Sequence, residues 1–129
     1  MDFEALNPTT VHPTAGYSHV VRMGDLLFVS GQVARNLKGE VVGKGDVRAQ
    51  TEQVYANLKA VLEAAGSGLE RIAKVTVFTT SLEHRPAINE VRNRVFGPMG
   101  HFPASTFVVI SGLADPDFLV EIEAVALSR

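Results

Sequence analysis

Apolar residues recur at helical spacing between Asp46 and Ala65, where Val47, Val54, Leu58, Val61, Leu62 and Ala65 fall on one stripe. The pattern predicts a helix of about five turns, with Asp46 as its N-cap and Gly66 as its stop. A second helix is predicted from near Pro86, which suits a first turn, carrying Ile88, Val91, Val95 and Phe96 inward until Gly97-Pro98 ends it. The remaining apolar runs read as strands. Tyr17–Arg22 and Leu26–Ser30 flank a turn at Met23-Gly24-Asp25, and Ile72–Thr80 has a run suggesting burial on both faces. Phe102–Ile110 and Phe118–Leu127 are rich in Val, Ile, Phe and Thr and are separated by the turn Asp115-Pro116-Asp117. Short extended pieces at Val33-Ala34-Arg35 and Glu40-Val41-Val42 flank Asn36–Gly39, and Asn7–Gly16 reads as an irregular lead-in.

The order of elements predicts an α+β domain, residues 1–129, with two helices on one face of a mixed sheet. Two helices cannot cover both faces, so a homo-oligomer is expected to cover the other. In the last strand, strict alternation puts Phe118, Val120, Ile122, Ala124 and Ala126 on one side and Leu119, Glu121, Glu123, Val125 and Leu127 on the other. Two carboxylates thus share a face that is otherwise apolar. Such a face can be the wet side of an antiparallel sheet, or a place where an ionised group needs a partner, water or ligand. Alternation alone does not choose between these.

Composition narrows the function classes. The chain has 129 residues and no cysteine, which removes disulfides, thiol catalysis and Cys-ligated metal and fits an intracellular protein. Met1–Ala5 shows neither a basic region nor an apolar run, so no signal peptide is expected. No apolar run approaches the roughly 18 residues of a membrane helix, and a cytoplasmic protein is expected. A net charge of −2 argues against nucleic acid as a partner. Arg85, Arg92 and Arg94 cluster, but Glu83 and Glu90 lie among them as on a solvated helix face.

Gly39–Gly45 has the wrong spacing for a phosphate-binding loop and lacks a Ser or Thr after Lys44. His12, His19, His84 and His101 have no metal-ligand spacing, and for His19 and His101 an ordinary surface or interface role outweighs a place lining a cavity. No nucleophile elbow surrounds Ser30.

Several segments together resemble the RidA/YjgF family, also labelled the L-PSP endoribonuclease or translation-inhibitor family. They are Ser30-Gly31-Gln32, Gln50-Thr51-Glu52-Gln53 with Asn57-Leu58 and Ala64-Ala65-Gly66, Lys74–Phe78, Phe102-Pro103-Ala104 and Val120–Ala124. The likeness runs in order from about Thr14 to Leu127. It implies a chorismate-mutase-like (YjgF/L-PSP) α+β subunit in a barrel-shaped homotrimer, with ligand clefts between subunits. It also implies hydrolysis of reactive enamine or imine intermediates without metal or organic cofactor. Residue by residue, Tyr17 would close over the substrate, Ser30 and Gly31 would shape the cleft, Asn89 would support it, and Glu121 would hold water or shuttle its proton.

The chain departs from that pattern at Ser105, where the family motif reads Pro-Ala-Arg and the arginine grips the substrate carboxylate. A serine there would lose about 2–5 kcal/mol, roughly thirty-fold to several-thousand-fold in affinity. Phe107, on the same strand face, adds apolar bulk. The expected substrate is therefore a small imine, enamine or related carbonyl compound without the usual 2-carboxylate. A non-catalytic trimer that binds a metabolite or protein at its clefts is the alternative, and ribonuclease activity a third reading. Arg35 is a candidate to reach the cleft from a neighbouring subunit.

Overall fold

A computed structural model describes residues 3–128. Met1 and Asp2, part of the stretch read above for targeting signals, lie outside the described residues, as does Arg129. The strands are β1 (Phe3–Leu6), β2 (Val20–Met23), β3 (Leu26–Gln32), β4 (Ile72–Thr79), β5 (Ala104–Val109) and β6 (Val120–Leu127). The helices are α1 (Val47–Ala64) and α2 (Arg85–Phe96). They form one six-stranded mixed sheet in the order β1-β2-β3-β6-β4-β5, antiparallel throughout except for the parallel pair β4–β5.

The helices form where the spacing predicts them. The Asp46 side chain accepts the Ala49 N–H at 3.0 Å, which satisfies a donor of the first turn of α1. At the other end Gly66 takes φ +83°, and the Ser67 N–H reaches back to the Leu62 carbonyl at 2.8 Å. The left-handed turn needs glycine because a side chain there would meet the following carbonyl. Val54, Leu58, Val61 and Leu62 of α1 and Ile88, Val91 and Phe96 of α2 are buried against Leu27, Val29, Val75, Val77, Val120 and Ile122 of the sheet. Tyr55 and Phe96 meet edge to face, centroids 5.7 Å apart, where the helices touch.

The alternation read in the last strand holds in β6. Val120, Ile122, Ala124 and Ala126 are buried under the helices, while Glu121, Glu123, Val125 and Leu127 face the other way. No element among the described residues covers that opposite face, which carries exposed Leu26, Phe28 and Leu127.

One expectation needs correction, and one strand is new. Tyr17–His19 are not in a strand: pairing begins at Val20, because Asn7 ends the β1–β2 ladder and its side chain takes the His19 N–H at 2.9 Å. Phe3–Leu6, unrecognised in the sequence, is a strand paired along β2. The turn read at Asn36–Gly39 is present: its flanks pair at an Arg35–Val41 bridge, and the Asn36 side chain closes it by accepting the N–H groups of Lys38 and Glu40. Among the described residues, no helix is long and apolar enough to cross a membrane.

Candidate functional site

The register between β3 and β6 slips between Val29 and Gln32, so a bulge falls at Ser30-Gly31, beside Glu121. A bulge re-aims side chains and ends regular pairing. Here it opens a hollow of about 620 Å³ whose walls include Tyr17, Ser30, Gly31, Arg35, Phe118 and Glu121. Gly31 lets the Glu121 carboxylate lie against the backbone: a Cβ at that position would overlap the carboxylate as placed, and the side chain would have to swing away.

Glu121 is half-buried, and among the described residues no hydrogen bond or ion pair engages it. Burial, and secondarily the charge of Glu123, pushes its carboxyl above the ordinary carboxylate value. Such a group keeps a proton longer and takes one back more readily, which suits a proton shuttle.

Behind the bulge lies a buried polar chain. The Ser30 N–H and Oγ both donate to the His19 carbonyl, at 2.9 and 3.2 Å. Gln32 Nε2 donates to His19 Nδ1 at 3.1 Å, so the second ring nitrogen, Nε2, carries the proton and donates to the His12 carbonyl at 2.7 Å. His12 stacks edge-on against His19 at 4.9 Å, lines the hollow, and has no partner for its Nδ1 among the described residues. Burial first, then the neighbouring His19 and Arg35, hold its pKa below the ordinary value, so the ring is neutral.

Arg35 enters the hollow from its own chain. Its guanidinium lies 5.1 Å from the centre of the Phe118 ring, and its carbonyl accepts a hydrogen bond of 3.0 Å from Asn57 of α1. The same Asn57 amide group holds the Val33 carbonyl at 3.0 Å. Gln50, also on α1, fastens the approach to β6: it donates to the Asp117 carbonyl and accepts from the Leu119 N–H, both at 2.8 Å. Two buried amides on one helix thus fix both walls.

The residues singled out in the sequence divide into two groups. Tyr17, Ser30, Gly31 and Glu121 line the hollow. Asn89, Ser105 and Phe107 do not: Asn89 is on α2, and Ser105 and Phe107 lie on β5 at the sheet edge, with β4 between them and β6. Ser105 is exposed, while Phe107 packs on the helix-side core with Arg85 over its ring at 5.6 Å. His12 and Phe118 complete the hollow without having been recognised, since only tertiary packing brings the lead-in beside β6. No group of three or more metal-ligating side chains occurs among the described residues.

Two helices on one face of this mixed sheet define the YjgF/L-PSP fold. The chain belongs to the endoribonuclease L-PSP family, whose profile matches residues 8–128. It is similar to a RutC family protein of Pyrococcus horikoshii, with 43% identity over 115 residues, 88% of each chain. It is also similar to the 2-iminobutanoate/2-iminopropanoate deaminase of Dermatophagoides farinae, 32% identical over 120 residues, covering 93% of this chain and 91% of the other. The crystal structure of the YjgF gene product from E. coli superposes with a TM-score of 0.89 at 33% identity, over 98% of this chain and 99% of that one.

Proposed function

We propose that the protein is a hydrolase of the deaminase type, acting on a small imine or enamine, and that it works as a homotrimer. The carrying observation is Glu121: a carboxylate of raised pKa, without a side-chain partner among the described residues, lying against Gly31 in the hollow. The deaminase named among its relatives makes C=N hydrolysis the nearest chemistry. An enamine first takes a proton on carbon to become the imine. Glu121 then removes a proton from water as the oxygen adds to the imine carbon, and the nitrogen takes up a proton. Collapse of the carbinolamine forms the C=O bond, breaks the C–N bond and releases ammonia, so imine and water give carbonyl compound and ammonia.

In this reading a neighbouring subunit brings Asn89, Ser105 and Phe107 to the hollow, and its surface covers the open sheet face. Serine at 105 offers a hydroxyl in place of a cation, so the substrate does not place a 2-carboxylate there. No cofactor, nucleic acid or membrane is required, and the chain's weak net charge gives RNA little purchase.

The test uses imines generated in situ from amino acids, beside imines lacking the 2-carboxylate. Glu121→Gln is expected to lower turnover about 10²–10⁴-fold, the usual contribution of a positioned proton-transfer group. Ser105→Arg is expected to raise the rate on 2-imino acids. Robust wild-type turnover of 2-imino acids would overturn the substrate assignment, and an unimpaired Glu121→Gln variant would leave a binding trimer.

A further inference from the structure

We infer that Arg35 is the anion-binding group of the hollow, and that the ligand carries a carboxylate which docks on it while its carbonyl or imine end faces Glu121. This rests on the proposed function for the nature of the reacting end, but the role of Arg35 stands on its own geometry.

Arg35 is the only Lys or Arg among the residues lining the hollow. Among the described residues it makes no ion pair, although Glu121 shares the same cavity. A cation and a carboxylate that face one space without closing on each other leave room for a ligand between them. The two charges also divide the labour, one to hold an anion and one to move a proton.

The guanidinium is prepared for this. Its central carbon lies 5.1 Å from the centre of the Phe118 ring, and among the described residues no hydrogen bond engages its N–H groups, which can meet a carboxylate in two-pronged fashion. Its backbone is fixed by the bridge to Val41 and by the Asn57 amide. The backbone that carries the side chain is therefore in place before any ligand arrives. A carboxylate fits better than a phosphate: one guanidinium matches one carboxylate, whereas a phosphate dianion would face Glu121 with a single counter-charge and a neutral His12.

The position of Arg35 also bears on Ser105. A cleft without a cation on its β5 side still takes an acid if the acid lies on the Arg35 side.

The experiment measures binding of pyruvate and 4-oxopentanoate, each against its methyl ester, by calorimetry on wild type, Arg35→Met and Arg35→Lys. Methionine keeps an apolar side chain over Phe118, and thermal unfolding confirms that each variant folds. Wild type is expected to bind 4-oxopentanoate at least about tenfold more tightly than its ester, Arg35→Met to lose the preference, and Arg35→Lys to keep part of it. If wild type does not prefer either acid to its ester, or if Arg35→Met keeps the preference, the inference fails. A wild-type preference for pyruvate that vanishes in Arg35→Met would sustain Arg35 and overturn instead the exclusion of 2-imino acids.

Discussion

Glu121 and His12 are driven to hold opposite proton states for a common reason: burial penalises charge on each, so the acid stays protonated to higher pH and the base stays neutral to lower pH. Their contributions to stability run in opposite senses. The folded chain keeps the Glu121 proton above the ordinary value of 4.5, so that contribution is fully present below 4.5 and is lost as pH rises through the raised folded value. Where the side chain is ionised it therefore works against the fold. For His12 the folded value is depressed below 6.5, so its contribution is present above 6.5 and is lost as pH falls through the folded value. Glu121→Gln should melt a few degrees above wild type at pH 7, and the difference should close toward pH 4. The acid loss due to His12 should remain in the variant. Melting curves across this range check both signs, and a variant less stable than wild type at pH 7 would contradict the burial penalty. At this scale Glu121 was legible in the sequence because alternation alone sets its face. The reason for Gly31 was not, since it lies in the carboxylate of a strand ninety residues away in the chain, as was the position of His12.

At the scale of elements, α1 is more than a cover for the sheet. Its apolar stripe was readable from spacing, and its cap and stop follow from Asp46 and Gly66. What spacing does not reveal is that Gln50 and Asn57, on the same helix, turn polar amides into the core and fasten two irregular segments there. Asn57→Leu puts a good helix former in place of a poor one, adds bulk, and leaves the Val33 and Arg35 carbonyls without their donor. The expected cost is about 1–3 kcal/mol in chemical denaturation, the penalty for stranding buried polar groups. Ligand binding through Arg35 should weaken in parallel, while a leucine on the exposed side of α1, as in Lys59→Leu, should do neither. Equal stability of Asn57→Leu and wild type would remove α1 from the positioning of the site. The strands were legible to differing degrees for an equally physical reason. β6 declares itself by alternation, whereas β1 has only four residues and exists through its ladder with β2. Tyr17–His19 had strand-like composition, but Asn7 captures the backbone that pairing would have used.

For the whole molecule the decisive quantity is which chain supplies which half of the site. The hollow holds Glu121, Arg35 and Tyr17, whereas Asn89 is on α2 and Ser105 and Phe107 lie on β5, the far edge of the same sheet. If a cyclic trimer joins the β5 edge of one subunit to the hollow of the next, each site takes Glu121 from one chain and Asn89 from its neighbour. Subunit mixing then gives a prediction that a self-contained site does not. Glu121→Gln and Asn89→Ala chains, each weakly active alone, are denatured, mixed in equal amounts and refolded. A site is intact only when its hollow comes from an Asn89→Ala chain and its partner edge from a Glu121→Gln chain. Random assembly makes that about one site in four, so about a quarter of wild-type activity should return. Recovery no greater than the sum of the separate variants would place all the working groups within one chain, and the uncovered face bearing Leu26, Phe28 and Leu127 would then have no part in catalysis. Phe28→Lys supplies the companion measurement: a charge directly on that face should shift sedimentation toward the monomer and abolish the recovered activity with it, because the shared site cannot outlast the contact that assembles it.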